Sequence, residues 1–289
     1  MPPKRRRKAP LFFIISIVVA LLVIAGIFVE INRSASTVSM PTIASTTNPR
    51  NNAPHFIFSN FSEVEAMAIT AQIKSIPNSV YNAVGTGNGK VAGLPEAIAG
   101  TPLTKSGKPE LLYMGTEWCP YCASERWAIA VALSRFGTLS GLVLGKSSST
   151  DMYPNTPTLF MTSVSYSSRY ITFVSVEIQG RNHQSLKIPT PFQESIFSMY
   201  DKQGAIPFVD IGNRWESAAS YSPQAIMGMT STEVANSLSN ASLPQTKAIL
   251  GSANFLTAAI CSTDNFQPTS VCTSSGVAKA AGVLGIHGP

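Results

Sequence analysis

Charge is scarce in this chain. Only 12% of its 289 residues are Asp, Glu, Lys or Arg, about half the usual share. Histidine is limited to three positions and cysteine to four. Four cysteines are too few to staple a coreless secreted domain. His183 and His287 stand alone, without partners at metal-ligand spacing, so no metal is expected. The 20 Gly and 20 Pro follow no collagen-like period. Apolar residues are plentiful at 44%, which argues against wholesale disorder and supplies a large core. The length suits one large domain or two small ones.

The net charge of +6 is local. Lys4, Arg5, Arg6, Arg7 and Lys8 carry five of those charges, which leaves +1 for the rest of the chain. No basic stripe follows, so no nucleic-acid partner is expected. Leu11–Val29 then runs 19 residues without a charge, close to the ~20 that cross a bilayer as a helix. The expected order is a basic cytoplasmic tail (1–10), one transmembrane anchor (11–29), a Ser/Thr/Pro-rich stalk (30–55) and an extracytoplasmic body (56–289) with its core at about 110–240. The competing reading is a cleaved signal peptide, whose apolar region runs only about 7–15 residues. Asn32, Asn60 and Asn240 each begin an Asn-x-Ser sequon, open to glycosylation outside the cytoplasm.

Along the body, a helix is expected from Ser62, with Ser62 as its cap and Glu65 three residues on. Residues 85–107 read as loop. Leu111–Met114 reads as a buried strand, followed by Cys119-Pro120-Tyr121-Cys122 and a helix over 122–136 that Gly137 stops as a left-handed residue. Leu139–Leu144 is a short strand. Thr158–Val164 and Tyr170–Ile178 are strands joined by a turn at Ser165–Arg169. A helix starts at Pro191, and a strand over 206–211 turns through Gly212-Asn213 into 214–218. Helices are expected from Ser222-Pro223 to Leu238 and from Leu243-Pro244 to Cys261. The tail after Cys272 is weakly patterned.

Cys119 and Cys122 carry the chemistry. Two cysteines two residues apart, after a strand and opening a helix, make a redox motif. Unpaired N–H groups and the helix dipole favour an anion at the first position, so Cys119 is the nucleophile. Cys122 lies a turn further on and resolves the mixed disulfide. Pro120 suits the first helical turn, which needs no N–H. Three other readings stay open: half of a structural zinc site, an inert bridge, and Cu(I) carriage by two soft thiolates. Glu117 reads as a solvated turn residue, and no buried acid beneath Cys122 is evident.

Trp118-Cys119-Pro120-Tyr121-Cys122 resembles the active site of the thioredoxin superfamily, with the Pro-Tyr dipeptide typical of glutaredoxins. The resemblance covers about 110–240. It implies an α/β thioredoxin-like fold, to which this sequence adds an inserted hairpin and a helical C-terminal extension. It also implies that Ile206-Pro207 is a cis peptide beside the dithiol, and that Trp118, Pro120, Tyr121, Ile206 and Pro207 line the substrate. From the residues alone, Pro207 reads as an ordinary trans proline at the start of a strand. The whole layout is similar to an archaeal, membrane-anchored, thioredoxin-like family labelled domain of unknown function nine-two-nine. The sequence departs from the superfamily in the long spacing from Cys122 to Pro207 and in its C-terminal extension. Cys261 and Cys272 are expected to form a structural disulfide in that extension; a second redox pair exchanging with the first is the rival. The expected function is thiol–disulfide exchange on cysteines of exported proteins, or with a membrane redox partner, without a cofactor. The alternative is a non-catalytic cell-surface structural or interaction protein on the same scaffold.

Overall fold

The computed structural model describes residues 61–87 and 93–288. The basic tail, the 11–29 anchor, the stalk, and the sequons at Asn32 and Asn60 lie outside the described residues. No described helix is long and apolar enough to cross a membrane.

Two helices open the body, α1 (Phe61–Lys74) and α2 (Asn78–Val84). Short strands β1 (Glu96–Ala97) and β2 (Thr104–Lys105) lead into β3 (Lys108–Thr116), which is followed by α3 (Pro120–Ser134). Next come β4 (Gly137–Ser140), β5 (Val143–Lys146), β6 (Pro157–Phe160), β7 (Ser165–Ser168) and β8 (Thr172–Gln179). Helix α4 (Pro191–Tyr200) precedes the hairpin of β9 (Phe208–Ile211) and β10 (Trp215–Ser217). A 3-10 turn at Pro223–Ala225 and four helices finish the chain: α5 (Ser231–Ser237), α6 (Pro244–Thr263), α7 (Thr269–Cys272) and α8 (Ser275–Val283).

The architecture is mixed α/β around one mixed sheet. Its strands run β1-β10-β9-β3-β2, with β8 also on β3. β3 lies parallel to β8 and antiparallel to β9. Leu111, Leu112, Tyr113 and Met114 are all fully buried, as expected of a strand covered on both faces. Alternate residues serve two cores. Leu111 and Tyr113 face the cluster built with α3 and α6, whereas Leu112 and Met114 meet Val176, Ile196, Phe197 and Phe208 on the other side. α3 is buried all round, with only Tyr121 exposed, so it is a central helix rather than an amphipathic one.

Several expectations are corrected. Ser62 lies inside α1 rather than capping it, and α2 occupies a stretch with no helix expected. Gly137 does not end α3 in a left-handed conformation; the helix closes through Arg135 and Phe136, whose N–H donates to Leu133 O at 3.0 Å. Gly137 instead begins β4, where a Cβ would sit 2.2 Å from Ser167 O. The single strand expected over 139–144 is broken by Gly141, at φ +73°. Its halves pair separately, β4 with β7 and β5 with β6. Ser165–Ser168 is therefore strand, not turn, and the insertion is two nested ribbons rather than one hairpin. The helix expected over 222–238 is split at Gly228, at φ +82°. A new capping box at Thr230 and Glu233 then starts α5. The weakly patterned tail holds α8. Gly212 and Asn213 both have positive φ and make the expected turn, although Arg214 adds a third residue between the paired Ile211 and Trp215.

Candidate dithiol site

The site begins where β3 leaves the sheet. Glu117 N–H donates to Gln179 O (2.8 Å), and Trp118 Nε1 donates to Gln179 Oε1 (2.9 Å). Ser148, in the loop between β5 and β6, donates its N–H to Trp118 O (2.8 Å). The turn is thus held by β8 on one side and the insertion on the other. Cys119 follows as the N-cap of α3, with its Sγ accepting the Cys122 N–H at 3.2 Å. Pro120 occupies the first helical position. Both thiols are free; Cys119 is 4% exposed and Cys122 fully buried.

Across from them the Ile206–Pro207 peptide is cis, and Ile206 O lies 3.8 Å from Cys119 Sγ. Residues 87 positions apart in sequence therefore meet at one sulfur. Tyr121, 38% exposed, meets the ring of Tyr153 edge-on at 5.8 Å. Trp118 lies against His183 with ring centroids 5.0 Å apart. His183 and His287 are both exposed, and no group of three His, Cys, Asp or Glu side chains that could hold a metal occurs among the described residues.

The two thiols are electrostatically unequal. Hydrogen bonding from Cys122 holds the Cys119 thiol below its ordinary range, against the opposing effect of burial. Burial, reinforced by the neighbouring Cys119, pushes the Cys122 thiol well up. The thiolate form is therefore favoured at Cys119 over Cys122.

Sequence reasoning missed what lies beneath them. Arg126 and Glu177 form a wholly buried ion pair, with Arg126 Nε and Nη2 each donating to one carboxylate oxygen at 2.7 Å. Arg126 Nη2 also donates to Thr116 O (2.6 Å), and Nη1 to Thr158 Oγ1 (3.2 Å). The buried acid that the sequence did not show is Glu177, paired with Arg126 one helical turn after Cys122. Glu117 is half-buried rather than solvated, accepting from Thr162 Oγ1 (2.8 Å) and from Arg181 N–H (3.2 Å). The Tyr113 hydroxyl is buried with no hydrogen-bond partner. A Cβ on Gly115 would lie 2.2 Å from that hydroxyl and 3.1 Å from Cys122 Sγ, so only glycine fits there. On another face of α3, Glu125 accepts from Ser220 N–H and Oγ at 2.8 and 2.6 Å. Burial raises its pKa to about 7. The available signal was two adjacent charges, Glu125 and Arg126, inside an otherwise apolar helix.

Cys261 and Cys272 are bridged, with Cα atoms 5.7 Å apart. They lie at the other end of the sheet. The end of α6 packs on the β9–β10 turn, where Trp215 Nε1 donates to Ser262 Oγ (2.8 Å), and Gly212 N–H in turn donates to Glu110 O (2.8 Å) near the start of β3. Most of a nine-residue strand at about 3.3 Å per residue separates the two cysteine pairs, so their sulfurs do not meet.

Fold and site together define a mixed α/β protein with a polarised dithiol at a buried helix N-terminus. The family model described as Domain of unknown function (DUF929) matches residues 96–262. That is more than half of the chain, and the chain belongs to this family. The matched span runs from β1 through most of α6, holding the whole dithiol site but only the first cysteine of the bridge. No curated protein and no solved structure matches the chain.

Proposed function

We propose that this protein is a membrane-anchored, extracytoplasmic thiol–disulfide oxidoreductase of thioredoxin-like plan, acting on cysteines of exported proteins through Cys119 and Cys122. The observation that carries the reading is the polarised pair itself. Cys119 Sγ takes a hydrogen bond at the helix N-terminus, Cys122 is buried behind it, and Ile206 O stands beside it. The strand plan supports it too, since β3 and β8 are parallel around α3 while β9 and β10 return antiparallel. The anchor and its orientation rest on Leu11–Val29 behind the basic cluster.

The Cys119 thiolate attacks one sulfur of a substrate disulfide. That S–S bond breaks, a bond from Cys119 to the substrate forms, and the displaced sulfur leaves as a thiolate that takes up a proton. Cys122 then gives up its proton and attacks Cys119 Sγ, closing the Cys119–Cys122 disulfide and releasing the second substrate thiol. The substrate gains two electrons from the pair and two protons, one from Cys122 and one from solvent. Run backward, the same steps place a disulfide in a substrate dithiol. Trp118, Pro120, Tyr121, Ile206 and Pro207 are the residues that receive the substrate chain. A membrane thiol–disulfide partner resets the pair.

Cys122→Ser in the full chain removes the resolving thiol, so mixed disulfides through Cys119 should accumulate in cells and vanish when Cys119→Ser is added. An absence of adducts overturns the proposal and leaves a non-catalytic surface protein. The reduction potential then gives direction. Roughly −120 to −180 mV marks a donor of disulfides, and roughly −270 mV a reductant.

A further inference from the structure

We propose that Arg126 and Glu177 set the reduction potential of the Cys119–Cys122 pair, Arg126 by holding a positive charge beneath the reduced sulfurs and Glu177 by cancelling part of it. The inference rests on the exchange chemistry proposed for the dithiol and deepens it. Arg126 follows Cys122 by four residues on α3, so the two side chains leave the same helix face with Cβ atoms roughly 6 Å apart. Its guanidinium is tied to the turn that carries the dithiol by the 2.6 Å bond to Thr116 O. Tyr113 fills the space between, with its ring centroid 5.7 Å from the guanidinium carbon and its unpartnered hydroxyl facing Cys122 Sγ across Gly115.

Packing alone gives little reason for such a pair. A buried ion pair carries a large desolvation cost, and apolar residues of similar volume often stabilise as well or better. The interior, however, transmits a charge far better than water does. A disulfide is neutral, whereas the reduced pair carries the thiolate. A positive charge nearby therefore favours the reduced form and raises the potential, and a negative charge does the reverse. Glu177 is on β8, where its Oε1 also accepts from Met161 N–H (3.4 Å). Arg126, by contrast, stands on the helix that carries the dithiol, and its charge bears on both thiols. Hydrogen bonding from Cys122 is the main cause of the lowered Cys119 thiol, and the Arg126 charge adds to it.

The two halves of the pair predict opposite shifts, which a merely structural role does not. Glu177→Gln leaves the Arg126 charge uncompensated. It should move the equilibrium with glutathione about tenfold toward the dithiol, about 30 mV upward for this two-electron couple. The pH profile of Cys119 alkylation by iodoacetamide should move to lower pH. Arg126→Met with Glu177→Met removes both charges without stranding either, and should shift potential and alkylation profile the other way. Both variants are compared with the full chain, with thermal unfolding confirming the fold. Shifts of the same sign, or none in folded protein, overturn the proposal. If the wild-type pair does not exchange with glutathione, the oxidoreductase reading fails by itself. The alkylation profiles still decide whether the two charges act on the sulfurs.

Discussion

The two cysteine pairs sit at opposite ends of one sheet, in surroundings of different kind. Cys119 and Cys122 open a helix among hydrogen-bond donors, an interior ion pair and an unpartnered tyrosine hydroxyl. Cys261 and Cys272 lie in the apolar cluster that also holds Val277 and Ala280. The first pair is free and unequal, the second bridged. Spacing sets part of this contrast, because two intervening residues place both thiols on one helical turn. The polar surroundings set the rest, since a thiol in a purely apolar site is inert.

The comparison can be broken most strongly at the bridged end. Cys261→Ser with Cys272→Ser opens an 11-residue separation and should cost about 3 kcal/mol in denaturant unfolding. The dithiol potential should not move. A change in potential would mean that the two ends communicate.

A smaller effect tests the strand between them. Asp210 is buried, its Oδ2 has no partner, and across the strands it faces Glu216, which in turn faces Glu96. Burial raises the Asp210 pKa to about 7, with Glu110 and Glu216 adding to it. A carboxyl raised on folding binds its proton more tightly in the native state. Its contribution to stability is full below the unfolded value near 4 and is lost as pH rises through about 7. Asp210→Asn keeps an acceptor for the Asn213 N–H now bonded at 2.8 Å. It should stabilise the protein by about 1–2 kcal/mol at pH 8 and hardly at all at pH 4, by unfolding at the two pH values. An equal effect at both would remove the buried charge as the cause.

The smallest expected effect lies on α4, which covers Met114 and Phe208 on the face of the sheet away from α3. Thr190 and Gln193 form its capping box. Thr190→Ala should cost about 1 kcal/mol and leave the pH profile of Cys119 alkylation unchanged. A shifted profile would extend the dithiol's controlling environment beyond the interior ion pair.

What was legible in the sequence follows the same division. Leu111–Met114, Pro120 and Pro191 announce β3, α3 and α4 because long apolar runs and first-turn prolines act locally. Cys119-Pro120-Tyr121-Cys122 announces its own chemistry, and the Cys261–Cys272 bridge was expected. Ser165–Ser168 does not announce β7, because small polar residues become strand only when β4 lies alongside. α8 is built largely of small residues, and Gly276 packs so closely on α2 that a Cβ there would lie 2.4 Å from Tyr81 O. Arg126 and Glu177 sit 51 residues apart, and no local pattern pairs them. The site's electrostatics are a tertiary property, whereas its sulfurs are a sequence property.

The meeting of Cys119 with Ile206 has a consequence for synthesis. Pro207 leaves the ribosome 88 residues after Cys119, about 4–18 s later at 5–20 residues per second. Throughout that interval Cys119 lacks the Ile206 carbonyl, for most of it Glu177 is missing as well, and α6 has yet to be made. Without those distal elements α3 has little to pack against, so the helix N-terminus that favours a Cys119 thiolate is not yet held in place and the thiol is an ordinary one. Its reactivity arrives late, when the distal half of the chain folds back over it, so the nascent polypeptide carries its future nucleophile in a muted form.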